Sequence, residues 1–294
     1  MPKRIFLSSY RFLRSLLMRI LNDNINFLAG GVAFYGMLAL FPALAGLVSL
    51  FGLVASPEVV NEQLLSVQAL FPPEVFNIFQ DQLGKLTAQS GTTLSLTVVF
   101  SLLLTIYSAT KGTNAMLAAL NSVFRVSETR NWFRLQVLAY ALTFGAIALM
   151  MMAVFLVVAV PLVMRILPDY VMENFGKPVD ALRWLILSTA VFGGLFVLFA
   201  FGPNREVNSK CFRSIFWGSF IATAIWIAAA VGGSMLVQFF PNLNAAYGSL
   251  SAIIALMMWI YISAYTVLIG SAVTAEAEDI SCNSDTASTA PSRA

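Results

Sequence analysis

Six long apolar segments constrain this chain more than anything else in it: Phe27–Val54, Leu94–Thr110, Leu135–Leu167, Ala181–Gly202, Ser214–Val237 and Gly248–Thr274. Each approaches or exceeds the ~20 residues that an α-helix needs to cross a bilayer. In lipid such a segment must satisfy its own backbone hydrogen bonds, which confines it to a transmembrane helix. Period-two alternation is scarce, which argues against an outer-membrane barrel. Charged residues make up only 11% of the chain, against about 25% in an average soluble domain. The expected fold class is therefore all-α and polytopic, with a six-helix transmembrane domain over residues 23–278. The second segment is the shortest, reaching 17 residues before Lys111, although a helix can continue through Ala115–Phe124. The first apolar run is too long for the h-region of a cleaved signal peptide.

Six spans place both termini on one side, and the basic residues say which. The N-terminal arm holds Lys3, Arg4, Arg11, Arg14 and Arg19, the second connection Arg125, Arg130 and Arg134, and the fourth Arg205, Lys210 and Arg213. With the one basic residue of the tail these make twelve, against four in the opposite connections. The expectation is that both termini are cytoplasmic.

Residues 1–22 have the pattern of an amphipathic interfacial helix. Arg4, Arg11, Arg14 and Arg19 share one broad arc with Lys3, a lipid-surface set suited to anionic headgroups. Such an arm serves either as a topology anchor or as a lipid sensor. Residues 55–93 read as an external helical loop, punctuated by Pro57 and Pro72-Pro73 into two amphipathic pieces. Residues 279–294 are polar and Ser/Thr-rich, the composition of a disordered cytoplasmic tail.

The chemistry available is narrow. Histidine is absent and Cys211 and Cys282 are far apart, so neither a metal site nor a Cys-His nucleophile has its parts, and no cofactor is expected. The expected span interiors lack Asp and Glu, which weighs against proton coupling but leaves open sodium held by carbonyls and hydroxyls. Lys111 sits in "YSATKGTNAML". At a span end it would snorkel to the headgroups; alternatively Tyr107, Ser108, Lys111 and Asn114 form one polar helix face that lines a cavity and binds an anionic headgroup. In "NAAYGSL", Asn244 and Ser249 can satisfy free N–H groups at a helix start while Tyr247 joins the interfacial aromatic belt. An echo, "AFYGML", places Tyr35 early in the first span. The candidate substrate-binding set is thus Tyr35, Tyr107, Lys111, Asn114, Tyr247 and Ser249. Pro42, Pro161 and the pairs Gly30-Gly31, Gly193-Gly194 and Gly232-Gly233 provide close packing or the bends of a rocking transporter.

Four stretches, "DNINFLAGGVAFYGMLALFPAL", "LNSVFRVSETRNWFR", "GPNREV" and "NAAYGSLSAIIALMMWIYISAYTVLIGS", resemble the YihY/BrkB family of bacterial inner-membrane proteins, in order and over nearly the whole chain. The resemblance implies a six-span fold with cytoplasmic termini in the inner membrane. Some relatives were once labelled ribonuclease BN. The residues oppose that activity, because phosphodiester hydrolysis calls for carboxylate-bound metals or an acid–base pair that the sequence does not assemble. Nucleic acid is therefore not an expected partner. Where the family often has Gly-Ala-Glu late in the last span, this chain has Ala272 in the third position, with Glu276 one turn later.

Two functions remain open. One is a transporter or flippase of an amphiphilic, lipid-like substrate in envelope biogenesis; the other is a scaffold for envelope assembly, with protein partners unspecified. A P-loop is absent, so an ATP-driven cycle would need a partner. Membrane lipids, with anionic headgroups at the cytoplasmic leaflet, are the expected partners in either case.

Overall fold

The computed structural model describes residues 12, 14–54, 91–160, 169–207, 211–239 and 250–289. All regular structure among them is helical. A short helical segment over residues 14–22 precedes α1 (Ile25–Val54), α2 (Gly91–Val123), α3 (Trp132–Val154), α4 (Asp169–Phe201), α5 (Cys211–Phe239) and α6 (Leu250–Thr289). The expected external loop, apart from its last three residues, lies outside the described residues, as do Arg4, Arg11, Tyr247 and Ser249.

Four stretches are long and apolar enough to cross a membrane: Trp132–Val157, Pro178–Phe201, Cys211–Gly232 and Ile253–Asp279. Ile25–Leu40 is a shorter apolar helix. These helices turn large apolar side chains outward. On α3 and the π turn that follows it, Phe144, Met150, Met151 and Phe155 are 54 to 68% exposed, a surface suited to hydrocarbon. The protein is an all-helical, multi-pass membrane protein.

Helix boundaries differ from the expected spans for identifiable reasons. α2 runs through Lys111 to Val123 without a break, because its polar residues Ser108, Thr110 and Asn114 are compatible with a helix and no proline interrupts it. α4 starts at Asp169, twelve residues ahead of the expected span, and carries Pro178 inside. α6 extends to Thr289, although residues 279–294 were expected to be disordered. Composition marked this tail as polar, but it holds neither glycine nor proline between Ser271 and Pro291 to stop the helix. α3 ends in a π-helical turn, Phe155–Ala159, just before Pro161 in the sequence. Proline removes a donor and crowds the carbonyl four residues earlier, which a widened turn relieves.

The chain divides into two compact units. The first comprises Met1–Ala29, Met116–Ala230 and Tyr265–Ala294. Here α5 and α6 cross at small residues. A methyl group at Gly218 would collide with Thr274 Oγ1 and lie 2.8 Å from the Gly270 oxygen, and one at Gly270 would collide with Ala222. Close backbone approach of this kind is how helices associate in lipid, where packing replaces the hydrophobic effect as the driving force. α4 meets α5 through Phe192 against Phe216 (centroids 5.3 Å apart) and Phe196 against Phe212 (5.9 Å). Leu117, Leu120, Val123, Phe199 and Ile215 supply the fully buried apolar core.

The second unit comprises Gly30–Ala115 and Val231–Ala264. Within it, a methyl at Gly36 on α1 would stand 3.1 Å from Ile260 on α6, and one at Gly112 on α2 would stand 3.6 Å from Tyr35 Cβ. α1 thus packs against both α2 and α6 around Tyr35-Gly36.

Candidate functional site

Four of the six expected substrate-binding residues are among the described ones, all in the second unit. Tyr35 is half-buried at the α1–α2 contact. On α2, Tyr107 is 55% exposed, and the Lys111 ammonium stands 5.2 Å from the centroid of its ring. One turn of helix separates the two residues, so the cation rests against the electron-rich ring face. Ser108 is buried, and Asn114 is half-buried further along the helix. The expected single polar face is therefore split: Tyr107 and Lys111 border the outside, and Ser108 turns into the protein. Toward the N-terminal side of Tyr107, Phe100 (68%) and Leu103 (62%) are exposed at helical spacing. The resulting stripe is apolar at one end and cationic at the other.

A second constellation, in the first unit, was not anticipated. It gathers the arm, the α2–α3 and α4–α5 connections and the C-terminal part of α6 at one end. Arg19 was assigned to the lipid surface, but its side chain is 4% exposed and therefore cannot lie on the membrane. Its Nε lies 3.6 Å from Glu276 Oε2, and its Nη2 donates to Asp279 Oδ2. The carboxylates, rather than headgroups, compensate this charge once water is removed. Arg14 is exposed. Glu276 and Glu278, with 7% and 9% exposure, fall inside the apolar stretch Ile253–Asp279. Both lie just past the expected span end at Thr274, so the interior of the expected span still holds no acidic residue. The expected span end at Thr274 stopped short because only apolar length was counted, and the pairing charges lie on other elements.

Arg205 completes the set. Its Nη2 stands 3.0 Å from Glu278 Oε1 and donates to the Phe199 oxygen at 3.2 Å, and the guanidinium lies 4.6 Å from the Phe124 ring centroid. Beside it the two connections are clipped together. Arg130 donates to the oxygens of Phe201, Gly202 and Pro203 at 3.1, 2.9 and 2.8 Å. Phe201 is the last residue of α4 and Gly202 and Pro203 follow it, the Pro203 oxygen also accepting from the Arg205 N–H, and a cation at this end complements the helix dipole. Asn204 donates its backbone N–H to Asn121 Oδ1 and its amide to the Ser127 oxygen and Thr129 Oγ1, each at 2.8 Å. Asn121 in turn donates to Glu128 Oε2 at 2.8 Å. Gly202 is required here, since a methyl group would collide with the Leu198 backbone oxygen and also stand 2.7 Å from Leu120 Cδ1.

α2 ends beside this clip in a Schellman cap. Val126 N–H donates to the Asn121 oxygen and Arg125 N–H to the Ser122 oxygen, with Arg125 itself left-handed at φ 56°. Asn24, also left-handed at φ 52°, turns the arm into α1. An exposed Arg125–Asp23 pair at 3.3 Å links the two turns. Among the described residues, no three His, Cys, Asp or Glu side chains converge as a metal site.

The sequence profile of the family described as Virulence factor BrkB matches residues 16–293. The chain belongs to the BrkB family. The clip that joins "LNSVFRVSETR" to "GPNR" is thus found in a BrkB-family fold. A ribonuclease-like protein of Bacillus subtilis, YfkH, is 26% identical over 83% of this chain and 86% of its own length. A UPF0761 membrane protein of Idiomarina loihiensis is 26% identical over 94% of each chain. Another, from Vibrio vulnificus, is 28% identical over 90% of this chain and 81% of its own. No solved structure matches. For this BrkB-family chain the two constellations offer different chemistry: the α2 stripe presents a lysine beside exposed apolar surface, and the ionic end holds four segments together through charges that include the buried Arg19 and Glu276.

Proposed function

We propose that this BrkB-family protein carries an amphiphilic, lipid-like molecule across the bacterial inner membrane, with both termini in the cytoplasm. One observation carries the reading: Phe100, Leu103, Tyr107 and Lys111 run down one side of α2, exposed apolar residues leading to an ammonium against an aromatic ring. Acyl chains fit the apolar part, and a phosphate meets Lys111 without giving up its hydration elsewhere. Tyr35 packs against α2 at Gly112, the residue after Lys111. Pro42 within α1 and the π turn of α3 are points where helices can bend during a transport cycle.

Transfer of a fluorescent phospholipid between leaflets of reconstituted vesicles tests the proposal. The wild-type chain accelerates transfer over protein-free vesicles, and Lys111→Gln slows it several-fold while the protein stays folded. Wild-type transfer at the protein-free rate refutes transport and leaves the scaffold function. An unchanged rate for the variant removes Lys111 from the mechanism.

A further inference from the structure

We propose that the helical segment over residues 14–22 is seated in the acyl layer of the neighbouring leaflet, and that Arg19 ties its depth to the C-terminal part of α6. At 100° per residue, positions 14, 17, 18 and 21 share one face, and position 19 lies on the other side. Leu17, Met18 and Leu21 are 51, 49 and 71% exposed, and Phe27 at the start of α1 is 78% exposed. The arginine is inside and the leucines are outside, the reverse of a helix packed on a soluble protein. That arrangement is stable only where the outer medium is itself apolar.

The occupant is hydrocarbon rather than another protein, because the same unit carries further features of a bilayer interface. Trp132 and Phe133 open α3 at 71 and 67% exposure, and Phe212 near the start of α5 is 53% exposed. Arg134 and Arg213 stand beside them, also exposed. Exposed aromatics and cations at helix ends mark the headgroup boundary. Arg14, on the leucine face, can extend along that face so that its charge reaches the headgroups. The inner side of the segment is fixed by the buried Arg19 and its partners Glu276 and Asp279. A change in the depth of the segment therefore pulls on α6. This inference does not depend on what the protein carries.

The test uses the full chain with Cys211 and Cys282 replaced by serine and one cysteine at position 21 bearing an environment-sensitive fluorophore. In phosphatidylcholine vesicles with acyl-brominated lipid, the label loses most of its emission, and adding anionic lipid changes this little. A label at position 14 is quenched less. Quenching by aqueous iodide instead, or shielding from both quenchers, overturns the seating. Quenching that requires anionic lipid overturns it too, since the arm would then be held by charge alone. In Arg19→Gln the label at 21 shifts in depth while a label at Phe144 on α3 does not. If that variant fails to fold, Asp279→Asn is read the same way. An unmoved label removes the tie to α6.

Discussion

Replacing Arg19 by methionine tests the ionic end most directly. Methionine keeps much of the aliphatic bulk, so the change removes the charge more than the packing. Two interactions are lost, and they differ in worth. Asp279 has a 60% exposed side chain and returns to water, so its share is at most ~1 kcal/mol. Glu276 is 7% exposed and stays behind as a buried carboxylate without its cation. Breaking a buried pair from one side costs roughly 3–5 kcal/mol. We expect ~3 kcal/mol net, near the low end of that range, because a carboxylate at the end of an apolar stretch can recruit water. Equilibrium unfolding in mixed micelles measures it, with Arg19→Met, Glu276→Gln and the double variant forming a cycle. The double variant should be less destabilised than the two single changes added together, by ~2 kcal/mol, because neither charge is then stranded. A single-variant loss below ~0.5 kcal/mol, the size of an ordinary surface change, or strict additivity, would refute the buried pairing.

Four further substitutions, at three positions, probe the first unit. Gly218→Val forces side-chain atoms against Thr274 and the Gly270 oxygen, and should cost at least ~1–3 kcal/mol and abolish disulfide cross-linking between cysteines placed on α5 and α6. Gly145→Ala, where nothing lies within 4 Å of the added carbon, should leave stability unchanged or slightly raised, and is the control. Arg130→Ala strips one charged donor from three carbonyls and should cost ~2–3 kcal/mol, with faster amide exchange at the end of α4 and the start of the following connection. Arg130→Lys should restore only part of this, because a single ammonium cannot match the planar guanidinium fork.

Much of the fold was legible because apolar length is a strong and local signal. α3 to α6 follow directly from runs of leucine, alanine, valine and phenylalanine that no other environment tolerates. α2 was harder, since Lys111, Gly112 and Asn114 dilute its hydropathy without interrupting its helix. The polar stripe on α2 was partly legible from its spacing of three and four residues, but its division into an outer Tyr107–Lys111 pair and an inward Ser108 depends on which helices stand beside it. The ionic end was illegible for a different reason. Counting arginines by connection gives the side of the membrane to which they belong, yet Arg19, Arg130 and Arg205 serve helix ends and carboxylates on other segments. "AEAED" at Ala275–Asp279, three acidic residues directly after an apolar span, was the available hint that cations had to come to meet it. The asparagine of "GPNR" was another, since an amide set directly after a helix end commonly hydrogen-bonds neighbouring backbone.

The Arg19–Asp279 contact joins residues 260 positions apart. In a chain made from its N-terminus, the arginine leaves the ribosome well before the helix that will neutralise it. Until α6 arrives, the arm has no buried home for that guanidinium and must keep it in water or among headgroups. Insertion of α6 is then the event that draws the arm inward, so the step that completes the bundle also closes the chain on itself. A nascent chain arrested before α6 would hold Arg19 open to aqueous reagents, and a finished one would not, which makes this arginine a marker of assembly as much as a support for the folded protein.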